Sequence, residues 1–70
     1  MLAKYNNIEA ERVRNGMTKE ELAKAIGVSY KTYYLWMSDK SPISVPALTK
    51  MADMFGVTLD YLMGRTDVRN

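Results

Sequence analysis

Apolar residues recur along this chain at helical intervals, and the intervals are cut by Gly16, Gly27, Pro42, Gly56 and Gly64. No stretch alternates apolar and polar residues as a strand would. The pattern predicts an all-α chain of five short helices. The first lies between Ala3 and Asn15, with Tyr5, Ile8 and Arg12 on one side and Val13 near them. Asn6 or Asn7 is a potential cap for it, with Glu9 three residues after Asn6. The second starts at Thr18-Lys19-Glu20-Glu21, where the threonine hydroxyl and the Glu21 carboxylate can each satisfy an orphan amide of the other residue. Leu22 and Ile26 make an apolar i, i+4 pair on it, small Ala23 lies between them, and Gly27 ends it.

Ser29 caps a third helix that runs from Tyr30 to about Met37 and stops in the loop Asp39-Lys40-Ser41-Pro42. Ser44 caps a fourth, with Pro46 in its first turn and Val45, Leu48, Met51, Ala52 and Phe55 on one face. Gly56 ends it. Thr58 caps a short fifth helix, Leu59 to Met63, stopped by Gly64. These limits give one domain over residues 1–64 and a tail over 65–70, expected to fray or to serve as a dimer contact.

Composition narrows the chemistry. Seventy residues make one domain, and a chain this short buries only about 60% of its unfolded surface. It has no cysteine and no histidine, so neither a disulfide nor a zinc-finger site can staple it. Helix packing, with dimerisation as a further aid, has to suffice. Ten basic residues against eight acidic ones give a net charge of +2, which permits a nucleic-acid partner without making a polybasic tail. No apolar run reaches the roughly 20 residues of a membrane helix, and the N-terminus does not read as a signal peptide. The expected location is therefore the cytoplasm, of a bacterium or of a phage host. Asp39, Asp53, Asp60 and Asp67 have no metal-binding spacing, and the six methionines suit gap-filling in a small core. Glu20 and Glu21 point about 100° apart on a helix and are no catalytic pair. The usual parts of an enzyme or a cofactor site are missing, so neither is expected.

The informative segment is residues 19–38, two helices joined by a tight turn. Such a helix-turn-helix needs a small residue where the helices meet, a permissive turn and apolar side chains pointing inward. Ala23, Gly27 and the set Leu22, Ile26, Val28, Tyr33 and Trp36 meet those needs. On the third helix, Thr32, Tyr33 and Trp36 fall on the core side. Tyr30, Lys31, Tyr34, Leu35 and Ser38 fall on the other. Two tyrosines and a leucine are unusual choices for a face that only meets water.

With these residues in place, the chain resembles the Cro/C1-type (XRE-like) helix-turn-helix family over Ile8 to Leu62. The resemblance is carried by Arg12, Gly16-Met17-Thr18, Glu21-Leu22-Ala23, Gly27-Val28-Ser29, Trp36, Phe55-Gly56-Val57, Asp60 and Leu62. It implies a compact five-helix, lambda-repressor-like domain whose third helix enters the major groove of double-stranded DNA. On that reading Tyr30, Lys31, Tyr34 and Leu35 touch bases, and Thr18, Lys19, Ser29, Lys40 and Ser41 touch phosphates. It also implies a small transcriptional regulator, a repressor or Cro-like protein, acting as a homodimer on a palindromic operator. Tyr61, Met63 and Val68 are the expected dimer residues, with Met54 beside them. One departure stands out. The family pairs the arginine at Arg12 with a glutamate near the end of the third helix, where this chain has Met37. Arg12 is therefore expected to turn to Glu9, to backbone carbonyls or to solvent. A rival reading keeps the scaffold but uses the Tyr30, Tyr34 and Leu35 face to grip a protein, as an antirepressor or antitoxin would.

Overall fold

A computed structural model describes residues 5–69. Five helices follow one another among these residues: α1 (Asn6–Arg14), α2 (Lys19–Ile26), α3 (Tyr30–Met37), α4 (Val45–Phe55) and α5 (Leu59–Leu62). No strand occurs among them.

Four of the five helices start in one way. Thr18, Ser29, Ser44 and Thr58 each sit in extended backbone, and each side-chain oxygen accepts an amide three residues on. At α2 the exchange is mutual: Glu21 N donates to Thr18 Oγ1 at 3.1 Å, and Thr18 N donates to Glu21 Oε1 at 2.8 Å. Each such cap contributes about 1 kcal/mol. For helices of 4–11 residues, too short to be stable alone, that is a large share of their local stability.

α1 is the exception. Tyr5 occupies its cap position and makes no side-chain cap bond, so the expected Asn6 or Asn7 cap is not formed. Both asparagines are inside the helix, and Asn7 Nδ2 instead donates to the Tyr61 carbonyl at 2.7 Å. That bond uses the Nδ2 donor, whereas a cap would use the Oδ1 acceptor. Ala3 and Lys4, the outer limit of the expected helix, lie outside the described residues.

The core forms where the helices converge. Ile8, Leu22, Tyr33, Met51 and Leu62, one from each helix, are fully buried. On α4 the buried stripe is Ala47, Leu48, Met51 and Ala52, with Phe55 at its edge. Val45, expected on that stripe, is 67% exposed. Ile43 takes its place in the core. Ile43 precedes the Ser44 cap and Leu48 is the fourth helical residue, the two positions that a hydrophobic staple uses to fix the entry of a chain into a helix.

The end of the chain is bonded back onto the domain. The Thr58 amide donates to the Arg69 carbonyl at 2.8 Å, and the Arg69 side chain reaches Glu11 on α1. The reason is electrostatic: Glu11 is 0% exposed, and a carboxylate so enclosed needs donors.

Candidate nucleic-acid interface

The turn between α2 and α3 depends on one backbone conformation. Gly27 has φ +82°, in the left-handed region, and the following Val28 amide donates back to the Ala23 carbonyl at 2.9 Å. A Cβ at Gly27 would meet nothing within 4 Å. Glycine is needed there for its backbone and not for close packing. Close packing falls to Ala23, which is buried between the two helices. Leu22, Ile26, Tyr33 and Trp36 are buried around it, and Val28 is half-buried against the same core.

α3 therefore has a locked side and an open side. On the open side Tyr30 is 45% exposed, Tyr34 54% exposed, and Lys31 is exposed with them. Leu35, expected in this open set, is only half-buried and not exposed. Helical periodicity alone would leave it open, but the chain turns back at this residue, with the Lys40 amide donating to the Leu35 carbonyl at 2.9 Å. Thr32, expected in the core, is also half-buried, and its hydroxyl lies 3.0 Å from Ser29 Oγ. Asp39 makes the turn with φ +60°, a left-handed conformation that aspartate tolerates better than most residues.

Around this helix, Thr18, Lys19, Ser29 and Lys40 are exposed and Ser41 is half-buried. Thr18 uses one oxygen lone pair to cap α2, which leaves its hydroxyl proton able to reach an outside acceptor, while Ser29 Oγ both caps α3 and shares a hydrogen bond with the Thr32 hydroxyl. The N-terminus of α2 adds free amides and a positive dipole end, chemistry suited to a phosphate.

Beneath the open face lies a polar hub. Arg12 Nε and Nη2 donate to the two oxygens of Glu9 at 3.2 and 3.0 Å, and Nη1 donates to the Met17 carbonyl at 2.6 Å. The Tyr33 hydroxyl donates to the same Glu9 carboxylate. Arg12 thus takes two of the three partners open to it, the carboxylate and a carbonyl. Burial opposes ionisation of Glu9, yet the bonds from Arg12 and Tyr33 and the charges of Arg12 and Lys19 outweigh it and hold the carboxyl below its ordinary value. Burial, with the neighbouring carboxylate, pushes the Tyr33 phenol far up.

A second polar group lies between α1, α5 and the chain end. Glu11 accepts from the Tyr61 hydroxyl at 3.0 Å and from Arg69 Nε and Nη2 at 2.9 and 3.0 Å, with Arg14 Nη1 3.7 Å away. The Arg69 bonds lead in lowering the Glu11 pKa; burial works against them, and Tyr61 and the charges of Arg14 and Arg69 add to the lowering. Tyr61, expected at a dimer surface, is therefore a core residue, 5% exposed with its hydroxyl occupied. Met63 is half-buried against the core, while Val68 and Met54 are exposed. Sequence reasoning missed Glu11 and Arg69. The available signal was position: Glu11 is three residues after Ile8, on the buried face of α1, where a carboxylate must find donors.

A helix-turn-helix family model matches residues 8–62. The chain belongs to the Cro/C1-type (XRE-like) helix-turn-helix family. The crystal structure of the hypothetical transcription factor NHTF from Neisseria is similar, with a TM-score of 0.73 and 27% identity over 84% of this chain and 68% of that one. A search of curated protein sequences returns no match. Membership of the family makes the α2–α3 pair a DNA-binding helix-turn-helix. No helix among the described residues is long and apolar enough to cross a membrane.

Proposed function

We propose that this helix-turn-helix protein is a sequence-specific transcriptional regulator, a repressor or Cro-like protein, that binds a palindromic operator as a homodimer in the bacterial cytosol. The observation that supports the reading best is the contrast across α3: Tyr33 and Trp36 are buried, while Tyr30, Lys31 and Tyr34 stand open. In the major groove Lys31 donates to guanine O6 or N7. Tyr30 and Tyr34 offer hydroxyls to bases or phosphates, and the partly covered Leu35 packs on a thymine methyl. Thr18, Lys19, Ser29, Lys40 and Ser41 fix the register through phosphates, which position without specifying. Two copies place their reading helices about 34 Å apart, one turn of the duplex. Their contact falls at Val68 with Met54 and Met63. Bound across a promoter, the dimer represses by occupancy.

Selection of binding sites from random duplexes tests this directly. The expected product is a two-fold symmetric sequence with half-sites one turn apart. Lys31→Ala should lose roughly 1–3 kcal/mol of discrimination at one base step, and Lys19→Ala should weaken all duplexes alike and flatten the salt dependence. The exposed tyrosines also favour a protein-binding reading, and salt separates the two. DNA affinity falls steeply between about 50 and 200 mM salt, whereas a mainly apolar protein contact changes little. Selection that enriches no sequence, with binding indifferent to salt, would overturn the DNA reading.

A further inference from the structure

The polar hub under α3 joins three parts of the molecule through one carboxylate. Glu9 belongs to α1, and Arg12, its bidentate partner, belongs to the same helix. Arg12 also holds the Met17 carbonyl, one residue before the Thr18 cap, and so anchors the entry to α2. Tyr33 belongs to α3, with its ring fully buried and its hydroxyl on Glu9. The charge of Lys19, at the first position of α2, is also felt at Glu9. Thus the entry to α2 and the buried side of α3, opposite its open face, are tied to one point by charge-assisted bonds, which are stronger and more directional than neutral ones. Packing alone does not fix a helix's rotation so tightly, because apolar contacts are non-directional.

We propose that Glu9 and the Tyr33 hydroxyl are positioning residues for DNA reading: together they set the angle of α3 relative to the phosphate grip of α2. Neither touches the duplex. The proposal rests on the DNA-reading assignment above. Loss of the Tyr33 bond lets α3 rock about its buried ring, and the cost falls on contacts that need exact base register. Non-specific contacts to phosphate tolerate the rocking.

The molecule contains its own control. Tyr61 also donates to a buried glutamate, Glu11, but between α5 and α1, away from α3. Tyr33→Phe and Tyr61→Phe each delete one oxygen at a similar bond. Binding of each variant to the selected operator and to a scrambled duplex is measured by fluorescence anisotropy at fixed salt. Tyr33→Phe should lower the operator-to-scrambled affinity ratio roughly tenfold while leaving scrambled binding and its salt slope unchanged. Tyr61→Phe should lower the melting temperature but keep the ratio. A ratio unchanged in Tyr33→Phe, or lowered equally in Tyr61→Phe, overturns the proposal. If Tyr33→Phe fails to fold, Glu9→Gln takes its place, and the same fall in the ratio is expected.

A second readout needs no DNA and separates failure of this proposal from failure of the DNA assignment. In amide NMR spectra of the free protein, Tyr33→Phe should shift signals at both Thr18–Lys19 and Tyr30–Tyr34. Shifts confined to α3 would refute the linkage even if the wild-type protein reads sequence. A wild-type ratio of one would refute the DNA assignment, and the positioning role with it, whatever the spectra show.

Discussion

Glu9 and Glu11 lie two positions apart on α1, which turns them about 200° away from each other. Each meets a buried tyrosine hydroxyl and an arginine guanidinium held by two bonds. The chemistry is nearly the same and the consequences differ. At Glu9 the arginine is Arg12, three residues away, and a long-range hydrogen bond comes from Tyr33 on α3. At Glu11 both principal partners are remote: Tyr61 is 50 residues away and Arg69 is 58. The first site ties α3 to α1. The second closes the domain by holding the end of the chain against its beginning. A carboxylate on a small helix does what its tertiary partners make of it.

The largest test of that contrast is removal of each carboxylate. Glu11→Ala should destabilise the domain by about 3 kcal/mol, because it orphans the buried Tyr61 hydroxyl and releases the chain end. Glu9→Ala should cost about 2 kcal/mol, since Glu9 is part-exposed and Arg12 keeps the Met17 carbonyl. Urea unfolding of both variants decides the order, and a reversed order would break the comparison.

Acid titration comes next. Both carboxyls are held below the ordinary value of 4.5 in the folded protein. The stability that they contribute is therefore complete above about pH 4.5 and is lost as pH falls through their lowered values. Melting temperature should fall as the pH is taken from 6 toward about 3, and Glu11→Gln should fall less steeply than wild type. An equally steep fall in Glu11→Gln would show that the closing site is not the one titrating.

Arg69→Ala sharpens the picture locally. The Thr58 amide, which donates to the Arg69 carbonyl, should exchange with deuterium faster, while amides of α3 remain protected. Equal acceleration in α3 would mean that the two sites are one unit. The smallest effect belongs to Arg14→Ala. Arg14 lies 3.7 Å from Glu11 with a half-exposed side chain, so its loss should cost less than about 0.5 kcal/mol in urea unfolding.

The same contrast explains what was legible beforehand. The caps at Thr18, Ser29, Ser44 and Thr58, the Gly27 turn and the two-sided α3 could all be read from neighbours within four residues. The Glu9–Arg12 pair was among the options for the same reason, at a spacing of three. Periodicity misses Leu35, over which the chain turns back, and Val45, whose place in the core is taken by Ile43 from before the Ser44 cap. Tyr61 was placed outside because an aromatic near the chain end shows no sign, in sequence, of the glutamate waiting for its hydroxyl.

By itself, then, the order of residues determined the helices, their stops and the helix-turn-helix, since those depend on backbone preferences and bonds closed within a turn or two. Only the folded chain decided that Tyr33 and Arg12 would converge on Glu9, and that Arg69 would return to Glu11. Those contacts exist because a buried charge must be satisfied by whichever donors the packing brings near it, however far along the chain they lie.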